Sequence, residues 1–324
     1  MRSVLSMGLV AVLPLAFATE GRSQAFPAKP VRILLGYTPG GSTDILARVV
    51  ADKLTASLGQ PVVVENRPGA SGNIAAETVA RAVPDGHVLL MGATAEMGIN
   101  RHVMKDMPFN PDTDFAPIAF GFHVPLGLLV PGSRATPATL KEFIATARRT
   151  PGKLTFANSG NGTPGHLAGE MLAFREGVSF VQVPYKGAAP AMLDLIAGRV
   201  DAYFLSLPGA MPHVRGGKVR LLAVSTAKRS TFVPEVPSIA ELGVADFDFS
   251  LWGGFFAPAG TPVEIVTRLN REIAQALGLP DLRERMAQEG MEVTVTTPAE
   301  FGRFVQAESR KYAAIVKQIG YKPD

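Results

Sequence analysis

Short apolar runs alternate along this chain with longer stretches of helical period. Val31–Tyr37 (VRILLGY) predicts a strand, and the residues after Gly41 predict a helix to about Leu58. Pro61–Glu65 (PVVVE) predicts a buried strand, NRPGASG a turn, Asn73–Val83 a helix and His87–Met91 a third strand. That β-α-β-α-β order is the mark of a parallel sheet covered by helices. Asn100–Asp114 reads as a long polar loop, and Phe120–Val130 as an extended run ending in Pro131-Gly132. A second series follows. Pro137–Arg149, Thr163–Glu176 and Ala188–Ala197 carry helical period, with Gly198 stopping the last. Leu154–Ala157, Phe180–Val183, Val200–Phe204 and Val219–Ser225 read as strands. Ser250–Ala257 is extended again and ends in Pro258-Ala259-Gly260; Thr261 should cap a helix with Pro262 at its first position. There Ile265, Val266, Leu269, Ile273 and Leu277 share a face, as do Phe301, Phe304, Val305, Tyr312, Ile315 and Ile319 in a C-terminal helix.

Two similar α/β halves thus flank two extended crossings, near Phe122–Leu128 and Trp252–Phe256. The expected architecture is an α/β protein of two hinged lobes joined by two crossover strands, with a cleft between them. Lobe one takes 26–122 plus 254–324, and lobe two takes 123–253.

Two glycine-rich turns carry the candidate chemistry. In Tyr37-Thr38-Pro39-Gly40-Gly41, the glycines allow a sharp bend and close approach of a ligand. The helix behind them opens with N–H groups that lack intrahelical partners and with the positive end of its dipole, which together favour an anion. With Gly41 as N-cap, Asp44 falls at N3, where it can reach back to the cap N–H. Asn158–His166 (NSGNGTPGH) repeats the arrangement: Thr163 is a good N-cap, Pro164 sits at N1, and Ser159 and Thr163 add hydroxyl donors. His166, at N3, lies beside this second cradle. Gly160-x-Gly162-x-x-Gly165 also matches a dinucleotide fingerprint, which makes a nucleotide-cofactor-binding α/β enzyme the rival reading. Such a site wants an acid at the end of the next strand; here that strand ends in Pro184-Tyr185-Lys186.

Composition narrows the classes. There is no cysteine, which excludes disulfides, thiol catalysis and thiolate-bound metal. The five histidines show no metal-ligand spacing, no P-loop or nucleophile elbow is present, and no pair of acids stands out for acid–base work. The expectation is a non-enzymatic protein without cofactor or metal. The formal net charge of +4 is small and its Lys/Arg residues form no stripe, so a nucleic-acid partner is not expected and a mild field for small anions is. Met1–Ala25 reads as a secretory signal, with Arg2, the apolar Val4–Ala18 and a Ser23-Gln24-Ala25 cleavage site. A membrane anchor is the weaker alternative, since the run is shorter than the ~20 residues a span needs and contains Pro14.

Six segments recur in order in one family: Tyr37–Asp44 (YTPGGSTD), Leu58–Gly72 (LGQPVVVENRPGASG), Pro84-Asp85-Gly86, Tyr185–Asp201 (YKGAAPAMLDLIAGRVD), Gly217–Arg229 and Phe256–Pro262 (FAPAGTP). Together they resemble the substrate-binding receptors of tripartite tricarboxylate transporters, the Bug proteins, over essentially the whole chain after residue 25. The resemblance implies a periplasmic Venus-flytrap protein, acting as a monomer, that passes a small organic acid to transporter membrane subunits or, as an orphan, to a sensor. It implies that the two glycine loops hold a carboxylate, through Tyr37, Thr38, Pro39, Gly40, Gly41 and Asp44 from lobe one and Ser159, Gly160, Gly162 and Thr163 from lobe two. Thr94, His166, Lys186 and Phe204 complete the candidate site. The chain departs from the family at Ala93-Thr94-Ala95-Glu96-Met97, where a polar segment with Ser/Thr followed by His is usual, and at Leu205, where an acid is frequent. Glu96 there would repel an acid or recognise a ligand amine.

Overall fold

A computed structural model describes residues 26–133 and 135–322. The leader expected over Met1–Ala25 lies outside the described residues. The chain runs β1 (Val31–Leu35), α1 (Ser42–Leu58), β2 (Val62–Asn66), α2 (Asn73–Ala80), β3 (Val88–Ala93), a π-helical turn (Ala95–Ile99), α3 (Asn100–Val103) and β4 (Phe115–Pro131). It continues through α4 (Leu140–Arg149), β5 (Thr155–Asn158), α5 (Pro164–Glu176), β6 (Val181–Pro184), α6 (Ala188–Ile196), β7 (Ala202–Ser206), α7 (Leu207–Arg215) and β8 (Val219–Val224). It ends with β9 (Ser250–Pro258), α8 (Val263–Gly278), α9 (Pro280–Gln288), β10 (Glu292–Val293) and α10 (Pro298–Gln318).

In lobe one, β1 lies parallel between β2 and β3. In lobe two, β5 lies parallel between β6 and β7. Two long strands join them. β9 pairs antiparallel with β3, and β4 pairs antiparallel with β9 along most of its length, from Phe115↔Pro258 to Pro125↔Ser250. The far end of β4 then pairs with β7 on one edge and β8 on the other. The pairing register of β4 with β9 shifts at Pro117/Ala119 and at Phe120/Phe122. This is the two-lobed, two-crossover α/β fold that the apolar runs predict.

Each lobe has its own core. Leu46, Val50, Leu89, Ile118, Phe255, Leu269 and Ile273 pack together in one, and Leu128, Phe143, Phe156, Leu167, Phe204 and Phe247 in the other. α10 spans both: Phe301 and Val305 join Leu34, Phe120 and Trp252, whereas Tyr312 and Val316 join the core of lobe two.

Several element limits differ from expectation, each for a local reason. α2 stops at Ala80. Asn100–Val103, read as loop, is helical because it continues the π-helical turn. α4 begins at Leu140, since Thr139 accepts from the Glu142 N–H at 3.2 Å and so fixes the cap there. Pro262 rather than Thr261 caps α8, because the Thr261 hydroxyl donates to the Pro258 carbonyl at 2.8 Å. α7 is not among the elements the sequence predicts; Pro208 falls in its first turn, where a missing N–H costs nothing, but Pro212 lies inside.

Candidate functional site

Loop one joins β1 to α1. A Cβ on Gly36 would stand 2.3 Å from the Gly72 Cα, so only glycine lets the turn before α2 pass this close to the end of β1. Thr38, Pro39, Gly40 and Gly41 are exposed, and Tyr37 is half-buried. Asp44 organises the loop from beneath. Its carboxylate accepts from the Gly40 N–H at 3.0 Å, from Arg48 at 2.9 and 3.0 Å, and from Asn66 Nδ2 at 2.9 Å; Asn66 also donates to the Tyr37 carbonyl at 3.0 Å. Burial works against its ionisation, but Arg48, the Gly40 N–H and Asn66 outweigh burial and hold the carboxyl below its usual range. Asp44 therefore reaches Gly40 and not the Gly41 cap. It shapes the loop, and the Gly40 N–H is spent on it.

Behind loop one lies the turn before α2. Ala70 and Ser71 are consecutive non-glycine residues with φ of 46° and 50°. Such strain gathers at ligand clamps. Here it aims Ser71 across the cleft, where its hydroxyl donates to the Asn161 carbonyl of loop two at 2.7 Å. Asn100, fully buried, supports this turn by donating Nδ2 to the Ser71 carbonyl at 3.1 Å and to Asn73 Oδ1 at 2.6 Å. Among the described residues its own Oδ1 has no partner, and it lies 2.9 Å from where a Cβ on Gly162 would sit.

Glu96 occupies the π-helical turn, a local form that recurs at functional sites. Its carboxyl is fully buried; Oε1 accepts from the Ala93 N–H at 2.7 Å and Oε2 from the Tyr37 hydroxyl at 2.5 Å. Burial pushes its pKa up to about 7 against the pull of those two donors. Tyr37, also buried at its hydroxyl and facing that acid, is pushed well above its ordinary value.

Loop two joins β5 to α5. Asn158 Oδ1 accepts from the Gly160 N–H at 3.0 Å, and His166 Nδ1 accepts from the Gly162 N–H at 3.1 Å. His166 is buried against the ring of Tyr321, so it buttresses the loop from inside. Thr163 is the N-cap residue of α5, but its side chain makes no cap bond. Its hydroxyl donates to the Gly160 carbonyl at 2.8 Å, which leaves no hydrogen for a ligand. The expectation of a side-chain cap is thereby corrected. Ser159 is different. Its hydroxyl pairs with that of Tyr203, which is fully buried and has no other hydrogen-bond partner among the described residues. Burial pushes the Tyr203 phenol up, so it stays protonated. Either hydroxyl can be the donor; with Tyr203 donating, the half-buried Ser159 keeps its own hydrogen for a ligand.

Two of the remaining candidates are buried away from the cleft surface. Thr94 is fully buried; it accepts from the Trp252 N–H at 2.8 Å and donates to the Trp252 carbonyl at 3.1 Å, pinning β3 to β9. Phe204 is a core ring between Phe156 and Phe247. Lys186 is exposed beside Gly187, whose Cβ position lies 3.5 Å from Thr38 Oγ1 of lobe one. Ser71, Asn100 and Tyr203 escaped sequence reasoning. A tyrosine in an apolar strand was the one available signal for Tyr203; nothing in NRPGASG announces the left-handed pair. The glycines of the dinucleotide-like fingerprint have other causes: Gly160 faces Ser71, Gly162 faces Asn100, and Gly165 passes the Phe204 carbonyl, with a Cβ position only 2.6 Å away.

Two lobes on two crossover strands, each offering a glycine loop and a helix N-terminus to the other, define a solute-binding protein of the periplasmic class. Sequence and structure comparisons agree on the lineage. The chain belongs to the family described as "Tripartite tricarboxylate transporter family receptor" (TctC), whose model matches residues 46–321. It is 36% identical to protein BugT of Bordetella pertussis over 97% of this chain and 98% of that one. Among solved structures, Rpa4515 of R. palustris with adipate superposes with a TM-score of 0.88 at 37% identity, covering 92% of this chain and all of that one. MatC from Rhodopseudomonas palustris with bound malate gives a TM-score of 0.84 at 33% identity, covering 90% of this chain and all of that one. Members of this family are periplasmic solute-binding receptors, a non-enzymatic class. Among the described residues no helix is long and apolar enough to cross a membrane.

Proposed function

We propose that this chain is a periplasmic receptor that closes its two lobes around a small carboxylate and hands it to the membrane subunits of a tripartite transporter or to a sensor. No bond is made or broken. One observation carries the reading: the two lobes meet across the cleft beside their glycine loops, through the bond from Ser71, in the turn before α2, to Asn161 of loop two, and through the approach of Thr38 of loop one to Gly187. The N–H groups opening α1 and α5 and the Ser159 hydroxyl are the donors for the anion. The relatives bound to adipate and malate support the ligand class. In this reading the lobes divide at 26–122 plus 254–324 and at 123–253, the receptor works as a monomer without a nucleic-acid partner, and the mature chain begins at Phe26 after cleavage behind Ala25.

A thermal-shift screen of mono-, di- and tricarboxylates, amino acids and aromatic acids tests it. A ligand at 100 times its Kd adds about 2.7 kcal/mol to stability. Absence of any shift across the carboxylates would overturn the reading, and recovery of full-length protein from the cytosol would overturn the export step.

A further inference from the structure

Glu96 is an unpaired acid beside a site that receives acids. Its two oxygens are met by the Ala93 N–H at 2.7 Å and the Tyr37 hydroxyl at 2.5 Å, and its third neighbour is Gly72, where an added Cβ would stand 2.5 Å from Oε2. No cation among the described residues pairs with it. Arg32 is held by Glu65, Arg48 by Asp44 and Arg101 by Asp112. On α10, which packs against the same turn, Lys311 holds Glu308 at 3.2 Å and Asp248 at 3.4 Å, Glu308 also accepts from Trp252 Nε1, and Ser309 bonds His102. Tyr37 is thus the titratable group that faces Glu96 directly, and Gly72 and Ala93 are neutral.

A phenol has one hydrogen. While Glu96 is ionised, the Tyr37 hydrogen is spent on Oε2 and an unpaired negative charge stands behind loop one, repelling an anion in a poorly screened interior. When Oε2 carries a proton, the direction of the bond reverses. The acid donates to Tyr37 Oη, and the Tyr37 hydrogen is released to a new acceptor. We propose that Tyr37 and Glu96 form a proton-operated donor: the receptor takes up one proton on Glu96 as Tyr37 bonds an incoming carboxylate. The proton comes from solvent, the ligand stays an anion, and its charge is balanced by the proton. Burial holds the Glu96 carboxyl at about 7, so the proton is available at neutral pH. The proposal rests on the carboxylate-receptor reading and adds to it which loop-one group meets the ligand and in what protonation state.

Calorimetry with malate, adipate and benzoate from pH 6 to 8.5, in buffers of differing ionisation enthalpy, tests it. The expected result is an uptake that approaches one proton per ligand above pH 7, with Kd weakening up to about tenfold per pH unit there. In Glu96→Gln the amide donates to Tyr37 Oη at every pH, so uptake vanishes and Kd becomes flat near its low-pH value. Tyr37→Phe binds weakly throughout. Melting curves establish that the variants fold, and proton uptake by the unaltered protein decides the matter without them. Binding without proton uptake, or a pH slope that persists in Glu96→Gln, overturns the proposal and leaves the carboxylate reading standing. Affinity that rises with pH also overturns it, by showing Glu96 ionised against a ligand cation. Failure of every carboxylate in the thermal-shift screen and of the three probes at all pH values overturns the carboxylate reading and this proposal together.

Discussion

Trp252 Nε1 donates to Glu308 Oε2 at 3.1 Å, and both residues are buried. The bond ties crossover strand β9 to α10, the helix that touches both cores. A hydrogen bond to a charged group is worth about 1.5–3 kcal/mol. Glu308→Ala should lower unfolding stability by roughly that amount in urea titrations, and Glu308→Gln, which keeps an acceptor, by clearly less. Trp252 is the single tryptophan of the chain, so its emission reads the change directly.

Thr163 makes a prediction of the opposite kind. Its hydroxyl donates to the Gly160 carbonyl, so Thr163→Val is expected to remove an internal bond and to leave ligand contacts intact. The expected cost is about 0.5–1.5 kcal/mol of stability, with carboxylate affinity changed little and Thr163→Ser close to the parent. A large rise in Kd for Val with stability intact would return Thr163 to the ligand.

Ser159 and Tyr203 should behave as a pair. In the proposed site Ser159→Ala removes a charge-assisted donor, an expected loss of about 1.5–3 kcal/mol, or roughly 10- to 150-fold in Kd. Tyr203→Phe leaves Ser159 in place but frees its hydrogen to rotate, so a smaller loss is expected. The double variant should bind no worse than Ser159→Ala alone, a coupling that calorimetry on the four proteins measures directly.

The pH dependence of stability isolates Glu96. Its carboxyl sits at about 7 in the fold against 4.5 ordinarily. The folded chain therefore holds a proton that the unfolded chain has released across that window. This contribution is complete below pH 4.5, falls as pH rises and is lost above 7. The stability difference between the parent and Glu96→Gln should decline by on the order of 3 kcal/mol across it. Asp44 runs the other way, because its carboxyl is depressed: its contribution is present at neutral pH and is lost only in acid.

Much of the architecture was legible because β1, β3, β4 and β9 are buried on both faces and read as unbroken apolar runs. The glycine loops were legible because tight turns demand particular residues. What escaped depends on distant partners. Thr163 looks like a side-chain cap until Gly160 is seen to claim its hydrogen, and the bonds of the Thr94 hydroxyl to the Trp252 N–H and carbonyl are invisible in the sequence. The Asn100 turn was hidden because its helicity follows from the π-helical segment before it, and the Ala70–Ser71 conformation because neither residue prefers it. Glu96 was noticed as unusual, but its burial beneath Tyr37 could come only from three dimensions.

The continuity of β4 bears on how the molecule folds. Seventeen residues in one strand, about 55 Å at ~3.3 Å per residue, supply hydrogen bonds to both lobes. β3 finds its antiparallel neighbour only when Leu90 meets Phe256, so the whole of lobe two is a loop that must close before lobe one is complete. Each half has parallel strands of its own, but both complete their sheets on β4. Calorimetric unfolding should therefore show one transition, with van't Hoff and measured enthalpies equal, and refolding should be slow for the chain length because its central pairings are so far apart in sequence.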